Sequence, residues 1–210
     1  MIRPYRPADR DALYSICLRT GNAGSDATTL YRDPRLLPDI YTGPYLHLEP
    51  ELAFVLADTQ DRPTGYVLGT ADTPRFVAAY QRGWRPRVAA RYPRPGAQDP
   101  DAQRIHELHN PEWMLRDDLA DYPAHLHIAL LPHAQGKGAG RALLDTYLKA
   151  LRTAGVPGVH LSMSAANTGA RAFYDRMGFH QIAHPTPTRV LMGRSLESPS
   201  GCRIGNEVCQ

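Results

Sequence analysis

The stretch Leu130-Leu131-Pro132-His133-Ala134-Gln135-Gly136-Lys137-Gly138-Ala139-Gly140-Arg141 holds the residue types best suited to chemistry in this 210-residue chain. It follows a run of strand character and opens an amphipathic run that reads as the best helix of the sequence. Glycines at 136, 138 and 140 let the backbone come close to a ligand and leave its N–H groups uncovered. A helix N-terminus adds partial positive charge, so the site suits a phosphate group. Lys137 and Arg141 add full charges. Spacing excludes two familiar phosphate loops. The Walker loop needs glycine where Leu131 stands and Ser or Thr where Gly138 stands. The dinucleotide fingerprint needs Gly-x-Gly-x-x-Gly, whereas here the glycines alternate.

Gln135-x-x-Gly138-x-Gly140 resembles the pyrophosphate motif of the GNAT acetyltransferases. A second stretch, Asn167-x-x-Ala170-x-x-Phe173-Tyr174-x-x-Met177-Gly178-Phe179, is similar to that family's second signature and comes one helix and one strand later. The two motifs cover roughly residues 124 to 183. The resemblance implies an α/β (α+β) GNAT fold. It has a central mixed, mostly antiparallel sheet splayed between strands 4 and 5, with helices on both faces. It also implies acetyl-CoA as cofactor, with CoA as product and direct attack by an amine in a ternary complex. Backbone groups at Leu130 and Leu131 would pair with the pantetheine arm. N–H groups from Gln135 through Gly136, Lys137, Gly138, Ala139 and Gly140 to Arg141 would hold the pyrophosphate. Asn167 would contact the pantetheine side, and Ala170 and Phe173 would line the channel, although Phe173 reads equally as core. Tyr174 would protonate the CoA thiolate, since a phenol with an ordinary pKa of about 10 is a reasonable donor to it.

The general base has no motif. His127 lies on the strand expected to splay, and Asp72 ends a strand of the same sheet; either could reach the acceptor, and each also reads as structural. His106-x-x-His109 and His125-x-His127 lack the spacing of a zinc helix, so no metal is expected.

The elements that position these residues are legible to different degrees. Ile2 to Tyr5 reads as a first strand, and Leu13, Ile16, Cys17 and Thr20 recur at helical spacing. Prolines 34, 38 and 44 cut residues 26–49 into short turns. Leu52 to Ala57 and Gly65 to Ala71 read as antiparallel partners. Residues 73–123, rich in proline and arginine, form a long insertion between strands 3 and 4. Phe76, Tyr80, Trp84, Tyr92 and Trp113 make it too aromatic for a free linker. His125 to Leu131 is a strand. Lys137 to Ala154 is a helix with Leu143, Tyr147, Ala150, Leu151 and Ala154 on one face, stopped by Gly155 and Pro157. Val159, Leu161 and Met163 alternate as a strand, Asn167 caps the next helix, and two final strands follow. One domain spans 1–196, with a loose tail at 197–210.

Composition narrows the function. Of 24 basic residues, Lys137 and Lys149 are the two lysines; the net charge is +3. That is no nucleic-acid binder. No apolar run is long enough to span a membrane. Cys17, Cys202 and Cys209 give neither a disulfide framework nor a zinc pattern, which fits a reducing cytoplasm. A homodimer is permitted by a final strand suited to sheet pairing. Ile2-Arg3-Pro4-Tyr5, Gly65-Tyr66-x-Leu68-Gly69-Thr70-x-Asp72-x-x-Arg75-Phe76 and Gly193-Arg194-Ser195-Leu196 further resemble the acetyltransferase-like C-terminal domain of eukaryotic O-GlcNAcase and its free-standing bacterial relatives. The chain is therefore read as an N-acetyltransferase with an unassigned amine acceptor, small molecule or peptide. The alternative is an acetyl-CoA-binding interaction module without catalysis.

Overall fold

The computed structural model describes residues 1–96 and 98–196. The tail at 197–210, with Cys202 and Cys209, lies outside them. The chain runs β1 (Ile2–Pro4), α1 (Arg10–Thr20), α2 (Leu36–Tyr41), α3 (Gly43–Leu48), β2 (Phe54–Ala57), β3 (Pro63–Thr70), α4 (Thr73–Ala79), α5 (Arg85–Val88) and α6 (Ala102–His109). It continues through β4 (Ala124–Leu130), α7 (Ala139–Thr153), β5 (Gly158–Ser164), α8 (Thr168–Arg176), β6 (His180–Thr186) and β7 (Arg189–Ser195). The strands form one sheet in the order β1-β2-β3-β4-β5-β7-β6. Every neighbouring pair is antiparallel except β4 and β5. This is the mixed, mostly antiparallel sheet that the motifs imply.

Two readings need correction. The strand expected from Leu52 starts at Phe54, because Pro50 opens a single tight turn through Leu52. The last strand, β7, is internal between β5 and β6, so it offers no free edge for pairing with a second copy.

The sheet divides the core in two. On one face α1, α2 and α3 bury Leu13, Ile16, Leu37 and Tyr45 against Tyr66 and Leu68 of β3. On the other, α7 buries Leu143, Leu144, Tyr147, Leu148 and Leu151, three and four residues apart, as an amphipathic helix must. Gly155, at φ +71°, takes the left-handed position after α7 that a side chain would strain.

The insertion is part of the first core. Phe76, Tyr80, Trp84, Val88, Tyr92, Ile105 and Leu108 are all buried in it. Some of its arginines find local carboxylates: Arg75 pairs with Glu49 at 2.9 Å, Arg91 with Asp39 at 3.3 Å and Arg104 with Glu107 at 2.7 Å. Asp39, buried on α2, ties the insertion down. It accepts hydrogen bonds from Tyr14 and Tyr92 hydroxyls, each at 2.7 Å, and its backbone carbonyl accepts Trp84 Nε1–H at 2.9 Å.

One feature of the sheet matters most for function. β4 pairs with β3 along its whole length, from Gly65↔Leu130 to Thr70↔His125. Its parallel ladder with β5 holds only Ala124↔Val159 and His125↔His160. β5 meanwhile stays paired with β7 to Ser164. The sheet therefore opens between β4 and β5 beyond His125. Just below the opening the Tyr147 hydroxyl donates to the His125 carbonyl at 2.9 Å, with the Thr70 carbonyl at 3.2 Å. Gly69 permits that approach, since a Cβ there would stand 2.3 Å from the Tyr147 oxygen and 2.0 Å from the His125 carbonyl.

Replacing Asp39 with alanine strips two buried tyrosine hydroxyls of their acceptor, a loss expected to cost about 2–4 kcal/mol. Urea unfolding of Asp39→Ala checks this; a stability within about 0.5 kcal/mol of the parent would show that the insertion docks without it.

Candidate active site

The loop after β4 has a backbone that could cradle an anion. Gly136 and Gly138 sit at φ +74° and +79°, the left-handed region where a side chain is strained. This turns the chain directly into the 15-residue helix α7. Backbone N–H groups from residue 136 to residue 141 donate to nothing among the described residues; the next to be satisfied is Ala142, on the Gly138 carbonyl at 3.1 Å. Six unspent donors at the positive end of a long helix fit a pyrophosphate. Lys137 and Arg141 are exposed beside them. The Gln135 side chain braces the loop by donating to the Leu130 carbonyl at 2.8 Å.

The opened sheet supplies the second half of the site. From Leu126 to Leu130 the β4 edge facing β5 has no strand partner. Leu131 falls outside that edge: its N–H goes to the Thr64 carbonyl at 2.9 Å and its carbonyl accepts from Ala134. Asn167 caps α8, accepting the Ala170 N–H at 3.0 Å, and its amide also donates to the Ala23 carbonyl at 2.9 Å. It thus fastens the loop after α1 to the mouth of the opening. Ala170 and Phe173 are half-buried against the α7 core, and a Cβ on Gly140 would touch the Phe173 ring at 3.6 Å. Tyr174 is buried between Phe173 and Phe179, with ring centroids at 5.2 and 5.6 Å. Its hydroxyl has no hydrogen-bond partner among the described residues, and burial raises its pKa, so it stays protonated.

His127 stands on the opposite face of β4, half-buried. Burial, with His160 and Arg189 nearby, pushes its pKa down to about 4, so it is neutral at physiological pH. Asp72 does not join it. Its carboxylate accepts the Arg75 N–H at 2.9 Å and caps α4, and it lies past Thr70, at the end of the sheet where β4 and β5 are still paired.

Sequence reasoning missed the wall around His127. The Tyr41 ring meets it edge-on at 5.6 Å and meets Trp113 at 6.2 Å. Arg189 lies over the Trp113 ring at 5.8 Å and 3.8 Å from Glu107. Glu107 also accepts from Tyr41 and Arg104, each at 2.7 Å. The aromatic content of the insertion was the one available signal; nothing in the sequence pairs it with Tyr41. Among the described residues no three His, Cys, Asp or Glu side chains gather as a metal site. No helix is long and apolar enough to cross a membrane.

A mixed sheet that splits beside a helix end with unspent N–H donors is an arrangement that could seat a phosphorylated carrier across the split. The chain belongs to the Acetyltransferase (GNAT) family, whose profile matches residues 25–179. It is 27% identical over 203 residues to the Protein O-GlcNAcase of Rattus norvegicus, a match covering 93% of this chain and 22% of that protein. The chain thus spans about a fifth of the length of that relative and of its Mus musculus counterpart. A 52-residue stretch is 48% identical to the Mycothiol acetyltransferase of Beutenbergia cavernae, covering 25% of this chain and 18% of that one. Among solved structures, SsHAT superposes with a TM-score of 0.91 at 56% identity, covering 94% of this chain and 98% of SsHAT.

Valine at 138 would force a β-branched residue into the left-handed region and put its methyls in the cradle. Gly138→Val is expected to abolish the thermal shift produced by saturating CoA, while the unliganded protein still unfolds cooperatively. An undiminished shift would remove the loop from the binding site.

Proposed function

We propose that residues 1–196 form one catalytic domain that transfers acetyl from acetyl-CoA to an amine, with His127 and Tyr174 on opposite faces of the split sheet. The observation that carries this reading is the slot itself. Ala129 and Leu131, on the His127 side of β4, belong to the α1–α3 core. Ile128, Leu130 and Tyr174 belong to the α7 core. An acceptor entering from the His127 face meets the reacting carbon from one side, and the departing sulfur faces the other.

Acetyl-CoA, when bound, supplies an activated thioester. Donors at 136–141 would hold its pyrophosphate, and the unpaired β4 edge would take its amide-bearing arm as an added strand. Asn167, Ala170 and Phe173 line the α8 side. His127 takes the proton that the attacking nitrogen sheds as it forms its new bond to carbon. Tyr174 gives its proton to sulfur as the carbon–sulfur bond breaks, and CoA leaves as the thiol. Burial sets the resting protonation states, with the imidazole unprotonated and the phenol protonated.

The acceptor meets two aromatic edges and an Arg–Glu–Arg set in which Glu107 offsets one of two arginines. That lining suits an amine on an apolar or acidic body better than a polycation. A screen of amino acids, peptides, aminoglycosides and polyamines, with thiol release as readout, tests the activity. Amino acids or peptides should turn over faster than polyamines. With a working acceptor, Tyr174→Phe should lower kcat about a hundredfold and leave acetyl-CoA affinity nearly unchanged. Equal loss of both would make Tyr174 structural. Binding without thiol release for any acceptor would favour an acetyl-CoA-binding interaction module.

A further inference from the structure

Four side chains behind the split form a hydrogen-bonded chain whose proton positions follow from counting donors. Thr73 Oγ1 lies 2.7 Å from the Pro123 carbonyl and 2.8 Å from His125 Nδ1. A carbonyl only accepts, so the one Thr73 proton points to Pro123, and Thr73 accepts Nδ1–H from His125. Burial, with His160 and His127 close by, holds His125 neutral, which leaves a lone pair on its Nε2. The Tyr45 O–H donates to that lone pair at 2.7 Å; the competing Met114 sulfur is at 3.9 Å. Having no second proton, Tyr45 accepts from His127 Nε2 at 3.0 Å.

The count ends on His127 Nδ1, which must carry a lone pair. That atom has no partner among the described residues. The one fully enclosed, unpartnered side-chain atom among them is Asp101 Oδ1, so His127 Nδ1 keeps contact with solvent. The chain behind it is rigid. Tyr45 is 1% exposed and stacks on Phe76 at 4.4 Å, and Thr73 and His125 are also buried.

We propose that Thr73, His125 and Tyr45 are positioning residues that lock His127 as its Nε2–H tautomer and so present the Nδ1 lone pair to the acceptor amine. This rests on the reading of His127 as the base. The three residues touch no substrate. They act by leaving the imidazole a single way to satisfy its buried nitrogen, as an orienting partner does for a catalytic histidine elsewhere. The lock ends at a backbone carbonyl, which cannot take a proton, so it fixes the tautomer and does not conduct protons away. Tyr41 on α2, Tyr45 on α3, His125 on β4 itself, His160 on β5 and Arg189 on β7 stand around His127, with Glu107 and Arg104 of α6 behind Tyr41. Among the described residues none of them is hydrogen-bonded to Nδ1, and the one side-chain partner of the ring is Tyr45 at Nε2.

Imidazole nitrogen NMR of histidine-labelled protein, with turnover of matched variants, tests the lock. The parent should show His127 Nε2 protonated and Nδ1 bare. Thr73→Val keeps the shape but removes the link to His125. It should give a mixed tautomer at His127, and kcat should fall about tenfold or more with acetyl-CoA affinity unchanged. Thr73→Ser should restore both. A proton on Nδ1 in the parent, or a Thr73→Val protein with parental spectrum and turnover, would overturn the lock. Parental turnover by His127→Gln would instead remove the base, and the catalytic sense of the chain with it, whatever tautomer the spectra show. An intact base without a lock appears as an inactive His127→Gln beside a fully active Thr73→Val.

Discussion

Parallel pairing between β4 and β5 lasts two residue pairs and ends at His125 and His160, while each strand stays paired with its other neighbour. Backbone N–H and C=O groups along the opened edge still need partners. Water can supply them, and so can a ligand that carries amides in an extended arm. The opening also joins two faces that an intact sheet would keep apart, His127 lying on one and Tyr174 on the other. Tyr147, held close to the His125 carbonyl because Gly69 has no side chain, ties α7 to β3 and β4 just below the point where β4 leaves β5.

The insertion between β3 and β4 completes the site. It buries Phe76, Tyr80 and Trp84 in the first core and leaves Trp113 and Glu107 as a wall beside His127. Three of its arginines, Arg75, Arg91 and Arg104, are held by carboxylates at Glu49, Asp39 and Glu107. Thr73, at the very start of the insertion, anchors the chain of hydrogen bonds that ends on His127.

The glycine turn, the start of α7 and the cap of α8 were legible because local rules govern them. Alternating glycines, a helix start and an Asn cap are short-range patterns, and Gly138, Asn167 and α7 stand where those patterns put them. Asp72 misled because a carboxylate at a strand end reads the same whether it faces a ligand or caps the next helix; its Arg75 N–H decides the matter. Tyr45 and Tyr41 were invisible for a different reason. They sit in the proline-cut stretch without periodicity, and their roles come from contacts with His125, His127 and Trp113 more than seventy residues away. Leu131 was placed one residue too far along the free edge, since only pairing with Thr64 shows which way its N–H points.

The most direct measurement is a calorimetric titration of the protein with acetyl-CoA, alongside CoA and ATP. If the split sheet and the helix end hold the cofactor together, acetyl-CoA and CoA bind one to one, and ATP, which has phosphates but no amide arm for the β4 edge, binds far more weakly. Equal affinity for ATP, or no binding of acetyl-CoA, would contradict the account.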